Sequence, residues 1–182
     1  LDLGVGSPDL GTWADIADTA KLDANIAEAL RQGSPARPAG GAEVLPAGLG
    51  KYGEVRAFYT TDAYEVQGNE GPQWRAVHIG LDVFLPPGTP VFAPADGVVH
   101  SFRDNANDRD YGPTIILEHR FDWPQHPEKG VFYTLYGHLT RKSLEKLEVG
   151  QKVPAGAKLC EIGPVSENGG WTPHLHFQVM LD

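Results

Sequence analysis

The sequence predicts a mainly β, antiparallel fold preceded by an N-terminal helix. Three observations carry this. From Tyr52 onward, short β-rich runs alternate with Gly/Pro punctuation: Val55–Thr60, Val77–Leu85, Pro90–Phe92, Gly97–Phe102, Thr114–His119, Val131–Tyr136, Lys158–Ile162 and Leu175–Met180. Runs of that length, separated by turn residues and with no long helical pattern between them, specify antiparallel strands rather than βαβ units. Before Tyr52 the pattern is different. Thr12–Gln32 places Trp13, Ile16, Ala17, Ala20, Ile26, Ala27 and Leu30 mostly at helical spacing, and Thr12 with Asp15 has the form of a capping box.

Each element follows from its residues. The Thr12–Gln32 segment reads as a helix decorating the main domain. Gly33–Gly53 is rich in glycine and proline, the composition of a linker or extended arm. A domain boundary near residue 50 follows, with residues 1–50 as arm and 51–182 as the β domain. Within that domain, GTPVFAPADGVV from Gly88 and GQKVPAGAKLCEIG from Gly150 echo each other. Each sets a turn glycine three residues before a valine, followed by a second turn and a short apolar strand. This pseudo-repeat resembles barrel-sandwich hybrid folds of the duplicated hybrid motif kind.

Bulk properties narrow the function. The chain has 182 residues, 41% hydrophobic and 21% charged, the proportions of a soluble globular protein. Its 15 basic and 24 acidic residues leave a net charge of −9, which argues against sequence-independent nucleic-acid binding. The single cysteine, Cys160, excludes an internal disulfide and a cysteine zinc cage, and its place in an apolar strand suits a small core residue. No run approaches the ~18 apolar residues of a membrane span, and the N-terminus shows no signal-peptide pattern. Compartment is not legible directly.

Chemistry concentrates in the histidines. The last strand, HLHFQVM, alternates faces: His174, His176, Gln178 and Met180 on one side, Leu175, Phe177 and Val179 on a core side. In HIGLDVFLPPG, His78 and Asp82 share a face of an extended segment. With His176 they supply two imidazoles and a carboxylate, ligand types that zinc accepts, and leave a fourth position open for water. His138 follows a glycine in YTLYGHL. His100, His119 and His126 lie in no pattern that points at the others and read as ordinary strand or loop residues.

HIGLD, YGHL and HLHF, in that order, resemble the lysostaphin-type (LytM-like, beta-lytic) zinc metalloendopeptidases. The flanking GTPVFAPADGVV, TIILEH and VGQKVPAGAKLCEIG are also similar to that family's core, and the likeness runs from about Val55 to Leu181. The resemblance implies one zinc per chain on His78, Asp82 and His176, with His138 and His174 as non-ligand catalytic histidines. It further implies a peptide or peptidoglycan substrate, cleaved at cross-links or glycine-rich bridges, and a cell-envelope or extracellular setting. The loop between Glu118 and Phe132 is longer than in compact members, which bears on substrate choice. The ENGGWTPHLHF form also resembles the version found in large fused proteins, between a kinase-like phosphotransferase and a class III aminotransferase. That version implies further domains as partners and a cytoplasmic setting.

Three rival readings stand beside this one. A phosphocarrier of the glucose enzyme IIA type uses paired histidines but needs no Asp82. A biotinyl or lipoyl carrier needs a lysine at a hairpin tip, and Lys158 in AGAKLC lacks the expected flanks. An inactive peptidoglycan- or protein-binding module of the same fold is the third.

Overall fold

The computed structural model describes residues 1–32, 47–121 and 130–181. The expected linker therefore lies largely outside the described residues, as do His126 and most of the Glu118–Phe132 loop. Contacts divide the chain into two compact units, 1–85 and 86–182.

In the first unit, the expected single helix is two: α1 (Trp13–Ala17) and α2 (Thr19–Gln32). Asp15 Oδ2 accepts from the Thr12 backbone N–H at 2.9 Å and from its hydroxyl at 2.6 Å, so the expected Thr12–Asp15 pairing starts α1. The break comes at Asp18, which adopts an extended backbone and turns its carboxylate onto the N–H groups of Ala20 and Lys21. An aspartate satisfying the orphan donors of a new first turn is an N-cap rather than a mid-helix residue. The apolar face is also narrower than the spacing suggests. Leu22 and Ile26 are buried, while Trp13 is 68% exposed.

Strand β1 (Gly48–Gly50) begins where linker composition was read, and β2 (Glu65–Gly68) pairs with β3 (Gly71–Trp74) as a hairpin. That hairpin escaped the sequence reading because its strands are mostly exposed and Val66 is a lone apolar residue in β2. Conversely, Val55–Thr60 is not a strand; Val55 makes only an isolated bridge to Val77. Strand β4 (Leu81–Phe84) pairs antiparallel with β1 and buries Asp82 and Phe84 while exposing Leu81.

The second unit holds the remaining strands: β5 (Pro90–Phe92), β6 (Gly97–Asn105), β7 (Gly112–Arg120), β8 (Val131–Gly137), β9 (Lys152–Val153), β10 (Lys158–Glu161) and β11 (His174–Leu181). Within this unit the sheet order is β11-β8-β7-β6-β9, all antiparallel. The pseudo-repeat has a structural counterpart. The first strand of one copy pairs with the second strand of the other, twice over: β5 with β10 and β6 with β9. The core gathers Ala93, Val99, Ile115, Leu117, Tyr136, Leu139, Val153 and Cys160, its Val, Leu and Ile side chains each stabilising the fold by roughly 1.5–3 kcal/mol when fully withdrawn from water. Cys160 is a core residue, as expected, and burial pushes its thiol up to about 12. His119 is structural: its ring touches the Asp96 carbonyl at 2.8 Å and the Thr134 hydroxyl at 2.7 Å.

One face assignment on β11 needs correction. Leu175 and Phe177 pack on the core, but Val179 is 57% exposed. The strand's histidine side is the more deeply buried one, because His174 and His176 lie at 5% and 4% exposure.

Candidate active site

The HIGLD segment sits in the first unit, and its geometry differs from a simple extended run. Residues i and i+4 of a straight strand stand about 13 Å apart. Here a bend at Gly80 precedes β4 and brings His78 Nε2 to 3.2 Å from Asp82 Oδ1. Both side chains are 2% exposed. His78 Nδ1 lies 2.8 Å from the Lys51 carbonyl oxygen. A carbonyl only accepts, so Nδ1 carries the proton, and in the neutral ring Nε2 presents a lone pair. That lone pair meets a carboxylate oxygen. Two acceptors at 3.2 Å in a buried setting repel unless a cation, proton or metal ion, joins them.

Asp82's other oxygen is engaged differently. Arg56 Nη1 donates to Oδ2 at 2.6 Å, and Arg56 Nη2 donates to Glu54 Oε2 at 3.0 Å. Burial opposes the charge on Arg56, but Asp82, Tyr59 and Glu54 outweigh it and hold its pKa above the usual arginine range. Arg56 was missed in the sequence. It lies in a segment read as a plain strand, where no spacing rule ties it to Asp82.

The second unit assembles the other three histidines. His138 and His174 lie with ring centroids 4.3 Å apart and their planes tilted by 47°, and His138 lies 6.1 Å from His176 at nearly a right angle. The turn after β8 makes this possible. His138 has φ 62°, a left-handed conformation uncommon outside glycine. Hydrogen bonds hold it there: its N–H donates to the Tyr111 carbonyl and its carbonyl accepts from Gly163 N–H, both at 2.8 Å. Gly137 lies across from His176 in the β8–β11 register, and a Cβ there would stand 3.5 Å from the His176 Cβ and 3.0 Å from the Tyr111 ring.

Backbone carbonyls again set the tautomers. His138 Nδ1 lies 2.9 Å from the Asn168 carbonyl, and His174 Nδ1 lies 2.6 Å from the Thr172 carbonyl. Each ring therefore carries its proton at Nδ1 when neutral and can accept another at Nε2. Asn168 itself is fully buried, with its side chain closing the 168–171 turn onto Trp171. The Asn168 and Tyr111 roles were also missed, although Asn168 stands inside the quoted ENGGW stretch.

Comparison with known proteins shows the family. The model of Peptidase family M23 matches residues 76–182. The chain belongs to peptidase family M23. The resemblance to lysostaphin-type peptidases read from HIGLD, YGHL and HLHF is thereby borne out. Among relatives, "Peptidoglycan DD-endopeptidase ShyA" of Vibrio cholerae is 30% identical over 106 residues, covering 58% of this chain and 21% of that protein. "DD-carboxypeptidase/endopeptidase Mpg" of Neisseria meningitidis is 32% identical over 109 residues, covering 60% of this chain and 21% of that protein. The chain thus spans about a fifth of the length of these relatives. The lysostaphin catalytic domain of Staphylococcus simulans aligns at 27% identity over 74% of this chain and 80% of that one, with TM-score 0.47. Among the described residues no helix is long and apolar enough to cross a membrane.

Proposed function

We propose that the chain is a zinc-dependent endopeptidase acting on peptidoglycan-type peptides, with His78, Asp82 and His176 as ligands of one zinc ion. The observation that carries this reading is the buried His78–Asp82 contact, where a lone pair faces a carboxylate oxygen at 3.2 Å. His78, Asp82 and His176 each offer one ligand atom of a type zinc accepts, and all three are buried, so the donor set fits the metal. Membership of a peptidase family and relatives named as peptidoglycan DD-endopeptidases support the substrate class.

Zinc held this way would supply Lewis acidity: a water acidified to a pKa of about 7 and a polarised scissile carbonyl. The chain's own groups do the rest. His138 and His174, with their protons fixed at Nδ1, direct Nε2 to the reaction. One takes the proton of the attacking water and returns it to the leaving amine. The other, as imidazolium, donates a hydrogen bond to the oxygen that gains charge. Their ring centroids, 4.3 Å apart, are close enough for both rings to serve one reacting carbonyl. Residues 51–182 constitute the peptidase domain and residues 1–50 an accessory arm.

The test is digestion of purified peptidoglycan with mass analysis of the fragments, run on zinc-loaded and chelator-stripped protein. Cleaved peptide cross-links or bridges that vanish with the metal are expected. Intact peptidoglycan in the zinc-loaded reaction would sink the proposal.

A further inference from the structure

A carboxylate ligand has two oxygens, and whatever holds one decides how the other meets a metal. Asp82 Oδ2 takes the Arg56 guanidinium at 2.6 Å, while Oδ1 faces His78 at 3.2 Å. Arg56 is itself fixed from behind, by Glu54 Oε2 at 3.0 Å and by the Tyr59 hydroxyl at 2.9 Å. Glu54 in turn accepts the Leu3 N–H through Oε1 at 3.3 Å. A chain of buried groups thus runs from the N-terminal segment through Glu54 and Arg56 to Asp82, with Glu54, Arg56 and Asp82 between 1% and 9% exposed.

Gly50 adds an independent constraint. It lies opposite Asp82 in the β1–β4 register. A Cβ at Gly50 would meet Arg56 Nη2 at 2.7 Å and Asp82 Cβ at 3.2 Å. Any larger residue there would push the guanidinium off the carboxylate, so β1 leaves the room that the ion pair fills.

We infer that Arg56 is a positioning residue for the metal centre: it occupies Asp82 Oδ2 and presents Oδ1 alone to the ion. The inference rests on the zinc reading above and extends it to a residue that touches neither metal nor substrate. Arginine suits the task because its planar fork serves Asp82, Glu54 and Tyr59 at once, whereas a lysine ammonium offers one point charge. Partners that orient a ligating carboxylate typically account for 10- to 100-fold in metal affinity.

The experiment titrates zinc against a competing chelator for the wild type, Arg56→Met and Arg56→Lys, alongside circular dichroism and the visible spectrum of the cobalt-substituted proteins. Arg56→Met should bind zinc about 10- to 100-fold more weakly, Arg56→Lys should recover part of that loss, and both cobalt spectra should shift. A merely structural salt bridge would lower the melting temperature and leave the affinity and spectrum of the folded protein untouched. A folded Arg56→Met with wild-type zinc affinity overturns the inference. If Arg56→Met does not fold, Arg56→Lys decides, and unchanged affinity with an unchanged cobalt spectrum overturns it. A wild type that binds no zinc at all is a distinct result and removes the ligand reading itself.

Discussion

Replacing Gly163 by alanine should disable the His138 turn while leaving the proposed metal ligands alone. A Cβ at Gly163 would stand 2.3 Å from the Leu139 carbonyl oxygen, 2.7 Å from its carbon and 3.0 Å from the His138 oxygen. All three are backbone atoms, so no flexible side-chain end can swing aside. The His138–Leu139 backbone has to retreat by about 1 Å, against the hydrogen bond from Gly163 N–H to the His138 carbonyl at 2.8 Å. Overpacking of this kind costs about 1–3 kcal/mol. For a chain of this length that lowers the melting temperature by roughly 2–12 °C. The displacement is transmitted to an imidazole whose ring centroid lies 4.3 Å from that of His174. Misplacing a reacting group by 1 Å can cost about 100-fold in rate, so turnover should fall on that scale while zinc per chain holds. Gly150→Ala is the control: it has φ +86° and open space around its Cβ position, so it loses stability without disturbing the histidines. Thermal melts, zinc analysis and peptidoglycan hydrolysis of both variants make the comparison. A Gly163→Ala protein that melts and turns over like the wild type would refute the argument.

Three further outcomes are expected. His176→Ala should lose both zinc and activity, whereas His138→Ala and His174→Ala should keep nearly one zinc per chain with turnover down about 100-fold or more; complete zinc loss in His174→Ala would end that division of roles. Cys160, its thiol pushed by burial from 9.0 up to about 12, should resist alkylation in native protein at pH 8 and react on unfolding. Because the raised value belongs to the folded state, its contribution to stability is complete below pH 9 and declines as pH rises from about 9 to 12, by about 4 kcal/mol over that window; denaturant midpoints that stay flat across it would contradict the burial argument. A chain beginning at residue 51 should still bind about one zinc but melt lower, since it loses the β1–β4 pairing and the buried Leu22 and Ile26; loss of the metal would move the domain boundary upstream.

What could be read in advance depended on whether the cause was local. Strand positions such as Thr114–His119 and Val131–Tyr136 were legible because β-branched and aromatic residues bounded by turn residues carry their own signal; the structure places β7 and β8 over them. The pseudo-repeat was legible for the same reason, although its reciprocal strand pairing was not, since pairing joins residues some sixty positions apart. The helix was misread at Asp18 because periodicity reports an apolar stripe and is blind to a side chain that caps the next turn. The HIGLD histidine and aspartate were identified as a pair, but an extended geometry was assumed where the bend at Gly80 does the work.

By itself, the sequence determined the residue types of the site, their order, and a mainly β antiparallel chain around them, since these follow from side-chain chemistry and short-range periodicity. Only the tertiary structure decided which atoms face which. The Lys51, Asn168 and Thr172 carbonyls choose the imidazole tautomers, Gly163 leaves the space in which His138 turns left-handed, and Arg56 takes one oxygen of Asp82. These are contacts between main-chain or buried polar groups distant in sequence. Every residue carries the same carbonyl, so no composition or spacing marks the ones that the fold brings to a ring nitrogen.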